Sequence, residues 1–215
     1  LPFGHDGYVK LASGKKVRIH RVHMEEDTGK LSHQEVHGEK TSLIDFNRSG
    51  LPLVEIVTDA DFRNATDVKE YLQKLQQIIR YLDVSDADME KGEMRLEPNI
   101  SLRKITTDKG QLTTDELPQY KVEVKNINSF KFVEAAINYE IIRQTEILEK
   151  GETPKQVTMG WNEKGGFTVE QRSKEQANDY RYFPDPDLPI LHFPKEYLDK
   201  LRAELPELPA AKRIR

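Results

Sequence analysis

Two stretches of this chain alternate apolar and charged residues with a period of two, and nothing else in it restricts the fold as strongly. In Glu93–Arg103, Met94, Leu96, Pro98, Ile100 and Leu102 fall on one side, with Glu93, Arg95, Glu97, Asn99, Ser101 and Arg103 on the other. In Tyr120–Lys125, Tyr120, Val122 and Val124 alternate with Lys121, Glu123 and Lys125. Successive strand side chains point to opposite faces, so both segments read as strands with one core face and one face of mixed charge. The alternation fails at Asn126, which stands on the apolar side while Ile127 stands on the charged one, and the strand is expected to end there. An apolar sheet face has to be covered, and helices are the usual cover. From Ala65 to about Leu82, Val68, Tyr71, Leu72, Leu75, Ile78, Ile79 and Leu82 recur at spacings of three and four. That is the buried stripe of an amphipathic helix. Asn64 is placed to cap it, and Asp67 gives a capping-box-like start. A second helix is expected over roughly Phe130–Glu149, between the cap Ser129 and Gly151, with Val133, Ile137, Ile141 and Leu148 on its apolar face.

The remaining segments extend the pattern. Residues 7–24 read as a hairpin turning at Ser13-Gly14, and Ser42–Phe46 and Leu51–Val57 as strands about the turn residues 47–50. Residues 28–40 are polar, contain Gly29 and Gly38, and are expected to be loop, as is the link 104–118. Gln156–Trp161 and Phe167–Arg172 flank Asn162–Gly166 as a further hairpin. A loop with Pro184, Pro186, Pro189 and Pro194 then leads to a short helix near Lys195–Leu205. Helices on one face of a mostly antiparallel sheet make an α+β domain.

Composition narrows the function. The chain has 215 residues, enough for a sizeable core, and charged residues make up 33% of it. Lys+Arg 33 against Asp+Glu 37 gives a net charge of −4, so no basic surplus announces a nucleic-acid partner, although local patches still bind one. Cys is absent, which removes disulfides, thiol nucleophiles and Cys-ligated metals. No apolar run approaches the about 20 residues of a membrane span. Leu1-Pro2-Phe3-Gly4-His5 has neither an initiator Met nor a signal-peptide pattern, and no turn signal precedes Arg215, so both ends are expected to be cut from a longer protein.

Few residues carry a chemical signature on their own. No phosphate-cradling GxxxxGK[ST] loop occurs, and His33-Gln34-Glu35-Val36-His37 sets its Glu one position late for a zincin helix. His23-Met24-Glu25-Glu26-Asp27 places consecutive carboxylates next to an imidazole at a strand end. Oxygen ligands of that kind suit Mg²⁺, and a solvated acidic strand end is the plainer alternative. Glu55 interrupts the apolar run Leu51–Val57, where a carboxylate needs a cation, a hydrogen-bond donor or open water. On the mixed-charge face, Arg95, Arg103, Lys121 and Lys125 are placed to hold phosphates, and Glu93, Glu97 and Glu123 to hold metal. A solvent-facing salt-bridge ladder explains the same pattern.

Longer blocks carry a resemblance. Arg21–Lys30 (RVHMEEDTGK), Ser42–Val57 (SLIDFNRSGLPLVEIV), Val122–Phe130 (VEVKNINSF) and Arg172–Leu188 (RSKEQANDYRYFPDPDL) are similar, in this order, to the GatB family. The resemblance implies a considerably longer parent protein. It implies a glutamine synthetase-like, cradle-shaped catalytic domain over residues 1–205, short of its N-terminal part, with 206–215 opening a C-terminal helical region. It also implies ATP-dependent amidation of Glu-tRNA(Gln), Asp-tRNA(Asn) or both through an acyl phosphate, with ATP and Mg²⁺. The partners would be an amidase, GatA, that releases ammonia from glutamine, and GatC. The compartment would be bacterial cytoplasm or an organelle.

Carried over by residue, Glu26 and Glu55 match the family's Mg²⁺ carboxylates, and Arg95, Glu97, Asn99, Lys125, Asn126 and Asn128 lie in matching blocks as substrate or ATP cleft residues. The family's other metal ligands would precede Leu1, so the 215-residue segment alone is expected to bind Mg²⁺ poorly and to lack amidotransferase activity. Departures are Asn178, where many members have His, and Leu96-Glu97 in place of Cys-Asp. A non-catalytic tRNA-binding scaffold and a GatE-type protein specific for Glu-tRNA(Gln) are the alternatives.

Overall fold

A computed structural model of the chain describes residues 2–36, 38–103, 107–108, 111–112, 117–173 and 189–214. Asn178, His37 and most of the link 104–118 therefore lie outside the described residues. The fold is α+β, and the chain divides into two compact units, Leu1–Asp67 and Val68–Arg215. No helix among the described residues is long and apolar enough to cross a membrane.

The first unit is built on β1 (Gly4–Lys10), β2 (Lys16–Glu26) and β5 (Pro52–Thr58), a three-stranded antiparallel sheet in the order β1-β2-β5. Val9, Leu11 and Val17 are buried where β1 turns into β2 through Gly14, whose φ of 87° lies in the left-handed region. Between β2 and β5 the chain forms a second hairpin from β3 (Lys30–Val36) and β4 (Glu39–Asp45). This overturns the loop expected over residues 28–40. The cross-strand pair Leu31 and Ile44 is exposed, at 56% each, so the hairpin buries too little on either face to imprint a hydrophobic period on its sequence.

Asp27 joins the end of β2 to the start of β5. Its N–H donates to the Leu51 carbonyl at 2.9 Å, its own carbonyl accepts from Gly50 at 2.8 Å, and its carboxylate pairs with Arg48 at 3.1 Å. The side chain is buried, at 9% exposure. Buried carboxylates are stable when paired in this way, and the bonds fix the register in which β5 leaves the turn.

In the second unit, β6 (Asn99–Ile100), β9 (Val122–Lys125), β10 (Val157–Asn162) and β11 (Phe167–Ser173) form a four-stranded sheet in the order β11-β10-β9-β6. The β9–β10 pair is parallel and the others antiparallel. Two further two-residue strands, β7 (Thr107–Asp108) and β8 (Gln111–Leu112), pair with each other. The strand expected over 93–103 shrinks to Asn99–Ile100 and an isolated bridge between Leu96 and Ile127. Pro98 is the reason: with no N–H it cannot donate to a ladder, although its carbonyl accepts from Val124 at 2.9 Å. The expected two faces persist regardless, with Leu96 and Ile100 buried and Glu93, Arg95, Glu97 and Asn99 exposed.

Asn126 explains the failed alternation. Its φ of 61° is left-handed, a conformation Asn tolerates well, and one such residue resets the phase so that Ile127 is buried at 5% exposure. The first helix, α1 (Ala65–Tyr81), is capped as expected: the Asn64 side chain accepts from the Asp67 N–H at 2.7 Å. The second, α2 (Phe130–Glu149), is capped by Ser129, whose hydroxyl accepts from Phe132 at 3.1 Å. Along α2 the buried residues are Val133, Ala136, Ile137, Glu140 and Gln144, whereas Ile141 and Leu148 are half-buried. It packs on β6 and β11, over the face that carries Val122, Val124, Met159 and Trp161. The chain continues into α3 (Lys195–Glu204), which buries no residue, and α4 (Pro209–Ile214).

Candidate functional site

Strand pairing in the first unit assembles a donor set. His23 of β2 stands directly opposite Glu55 of β5, and Glu25, two residues along β2, shares that face. One donor atom from each of His23, Glu25 and Glu55 lies within 4.8 Å of the others. Both carboxylates are exposed, whereas His23 is half-buried and its Nε2 is shielded without a hydrogen-bond partner. A shielded ring nitrogen left unpaired carries a free-energy cost. One imidazole nitrogen and two carboxylate oxygens suit a divalent cation of the Mg²⁺ or Mn²⁺ type.

Glu26 does not join this group. It stands opposite Pro52, and strand parity puts it on the other face of β2, beside Met24 and Val54. Among the described residues the donor atoms brought within reach of Glu55 are those of Glu25 and His23, whereas Glu26 lies across the strand from them. The third carboxylate of the run, Asp27, is committed to Arg48 and the β5 turn. His33 of the zincin-like stretch lies in a strand and bonds Ser42 across the hairpin at 2.9 Å, which removes the helix that motif requires.

The mixed-charge face of the second unit gathers several of the expected residues. Lys125 Nζ lies 3.3 Å from a Glu97 carboxylate oxygen and 3.9 Å from one of Glu123, and the Thr158 hydroxyl donates to Glu123 at 3.1 Å. Asn99 sits opposite Glu123 in the register. Lys125 is therefore held between carboxylates, as a cross-strand ladder requires. Arg95 is exposed ahead of β6, and Asn126 and Asn128 are exposed just past β9. Ser129 takes the capping role at α2, so neither asparagine is used for it.

A further cluster carries no mark in the hydrophobic pattern. Glu140 of α2 is fully buried and accepts hydrogen bonds from Arg143 Nε and Nη2 at 2.9 and 2.8 Å, from Gln144 at 2.9 Å and from the Thr168 hydroxyl at 2.5 Å. Burial by itself raises its pKa; the bonds from Arg143, Gln144 and Thr168 outweigh that and hold it below the ordinary value. Gln144 also accepts from the Tyr120 hydroxyl at 3.1 Å, which ties β11, α2 and the lead into β9 together. The signal was the helical spacing of Glu140 and Gln144 with Val133 and Ile137, which a purely apolar count passes over.

Comparison with known proteins bears on both units. The model of the GatB/GatE catalytic domain matches residues 1–199. The B subunit of the aspartyl/glutamyl-tRNA(Asn/Gln) amidotransferase of Persephonella marina is 50% identical over 214 residues, covering 98% of this chain and 43% of that protein. The B subunit of the same name from a Roseiflexus species is 49% identical, over 100% of this chain and 42% of that protein. Its counterpart in Thermus thermophilus is 44% identical, over 100% of this chain and 43% of that protein. The chain thus spans less than half the length of these relatives.

Proposed function

We propose the following reading for a chain that belongs to the GatB/GatE catalytic-domain family: the intact protein is the kinase, transferase and tRNA-binding component of an aminoacyl-tRNA amidotransferase. The observation that carries it is the His23–Glu25–Glu55 donor set, presented on paired strands of a chain with this family relationship. A side-chain carboxylate on Glu-tRNA(Gln) or Asp-tRNA(Asn) is a poor electrophile. Transfer of the γ-phosphoryl group of ATP to a carboxylate oxygen gives an acyl phosphate and ADP. Ammonia then attacks the acyl carbon, the C–O bond to phosphate breaks, and amide and inorganic phosphate are released. The ammonia would come from glutamine through the amidase GatA, with GatC as the third partner.

His23, Glu25 and Glu55 would hold the cation, and when bound Mg²⁺ neutralises charge on the transferring phosphoryl group. In the second unit, considered by itself, Glu97, Asn99 and Lys125 would offer a hydrogen-bonding face to a ligand, bordered by Arg95, Asn126 and Asn128. The paired Lys125 is oriented by Glu97 and Glu123 before any ligand arrives, which lowers the cost of ordering it.

The test follows phosphate release from ATP by the full-length protein with its partners. Release that requires misacylated Glu-tRNA(Gln) or Asp-tRNA(Asn), with amidated product only when glutamine is supplied, is the expected result. Binding of the tRNA with no tRNA-dependent phosphate release would overturn the reading in favour of a non-catalytic scaffold.

A further inference from the structure

Neither carboxylate of the donor set has a side-chain partner to hold it in place. The side chains of Glu25 and Glu55 form no hydrogen bond or ion pair among the described residues, so their meeting depends on the register of β2 against β5. Strand side chains alternate between faces, and a slip of one residue would send Glu55 to the face opposite His23. A tight turn ordinarily fixes such a register, but here the whole β3–β4 hairpin intervenes between the two strands. The far end supplies no clamp either, because the β2–β5 register is irregular between Ile19 and Arg21.

The near end is held at Asp27. Its N–H and carbonyl bond to Leu51 and Gly50, the two residues ahead of Pro52, and so tie the end of β2 to the entry of β5. The turn that delivers those residues is closed on itself. Ser49 N–H donates to the Phe46 carbonyl at 3.0 Å and Leu51 N–H to the Arg48 carbonyl at 3.2 Å, while Gly50 takes a left-handed φ of 78°. Arg48 belongs to this turn, and its Nε reaches back 3.1 Å to the Asp27 carboxylate, whose other oxygen accepts from the Thr28 N–H at 3.1 Å. The ion pair thus joins through side chains the same two segments that the Asp27 main chain joins through backbone bonds.

We infer that Asp27 and Arg48 are positioning residues of the cation site. Their ion pair fastens the 46–51 turn to the end of β2, which sets Pro52 opposite Glu26 and, three residues along each strand, Glu55 opposite His23 with Glu25 on the same face. The inference rests on the reading of His23, Glu25 and Glu55 as cation ligands. Partners that orient metal ligands typically count for about 10–100-fold in affinity. On charge alone Arg48 opposes a bound cation, since like charges repel. Positioning and charge therefore predict opposite effects when it is neutralised.

The test measures Mn²⁺ binding by electron paramagnetic resonance, without ATP or tRNA, to the full-length protein assembled with its partners. The site in question is the one lost in Glu55→Gln. Arg48→Gln is expected to weaken Mn²⁺ binding there by about tenfold, although removal of a positive charge alone would tighten it. Arg48→Lys keeps a cation that can pair with Asp27 and should recover most of the loss. Thermal unfolding of the same samples should show each variant folded, since the Arg48 side chain is 41% exposed. A Glu55-dependent site whose affinity is unchanged or raised in Arg48→Gln would overturn the positioning role alone. Equal weakening in Arg48→Lys and Arg48→Gln would overturn it too. Absence of any Glu55-dependent Mn²⁺ site in the wild type would overturn the cation reading and, with it, this inference.

Discussion

Glu55→Gln in the full-length protein is expected to lower tRNA-dependent phosphate release by roughly a hundredfold or more, while the protein remains folded. The Glu55 side chain is exposed and forms no hydrogen bond or ion pair among the described residues, so its charge is not used to hold the sheet. Surface changes of this kind usually move stability by no more than about 0.5 kcal/mol. Loss of a carboxylate ligand, in contrast, removes part of the charge that holds a catalytic cation, worth several kcal/mol in the transition state. Raising Mg²⁺ should restore part of the rate. Thermal unfolding without metal should be unchanged or slightly raised, because Glu25 loses a like-charged neighbour within 4.8 Å. Normal phosphate release by Glu55→Gln would contradict its assignment as a ligand.

The second large effect is on stability. Glu140→Ala should destabilise the second unit by about 3–5 kcal/mol, the range for breaking a buried charge pair. The substitution removes the acceptor of Arg143, Gln144 and Thr168 together, and Gln144 and Thr168 are buried with 0% and 7% exposure. Glu140→Gln keeps the volume but sets an NH₂ group against donors, and should cost less. The pH dependence has a definite sign. The folded pKa of Glu140 lies below the ordinary value of 4.5, so its contribution is complete above that value and is lost as pH falls through the folded pKa. Urea unfolding near neutral pH and again below pH 4.5 should show Glu140→Ala converging toward the wild type in acid. A constant gap between the two at both pH values would contradict the account of the network.

How far the sequence leads depends on where burial falls. The amphipathic stripe of α1 and the Ser129 cap of α2 are legible because each has a local chemical cause: apolar residues at helical spacing, and a hydroxyl next to unpaired N–H groups. The alternation around Leu96 and Ile100 is equally legible as two faces, though Pro98 breaks the ladder that would make it a strand. The β3–β4 hairpin is not, since its apolar residues are exposed. Glu140 is invisible to a hydrophobic count because it is polar and buried, a state stabilised by partners far away in the chain such as Thr168.

The candidate site divides in the same way. Parity alone places His23 and Glu25 on one face of β2, but only the cross-strand register shows that Glu55 shares that face. Family resemblance selects Glu26 instead.

The most direct test compares the Mg²⁺ requirement of tRNA-dependent amidation for Glu25→Gln and Glu26→Gln in the full-length protein with its partners. The register predicts that Glu25→Gln raises the Mg²⁺ needed for half-maximal rate by about 10–100-fold, the scale on which changes around a metal alter affinity. Glu26→Gln should leave it unchanged. A raised requirement for Glu26→Gln, with Glu25→Gln behaving as wild type, would contradict the assignment of the His23–Glu25–Glu55 face as the cation site.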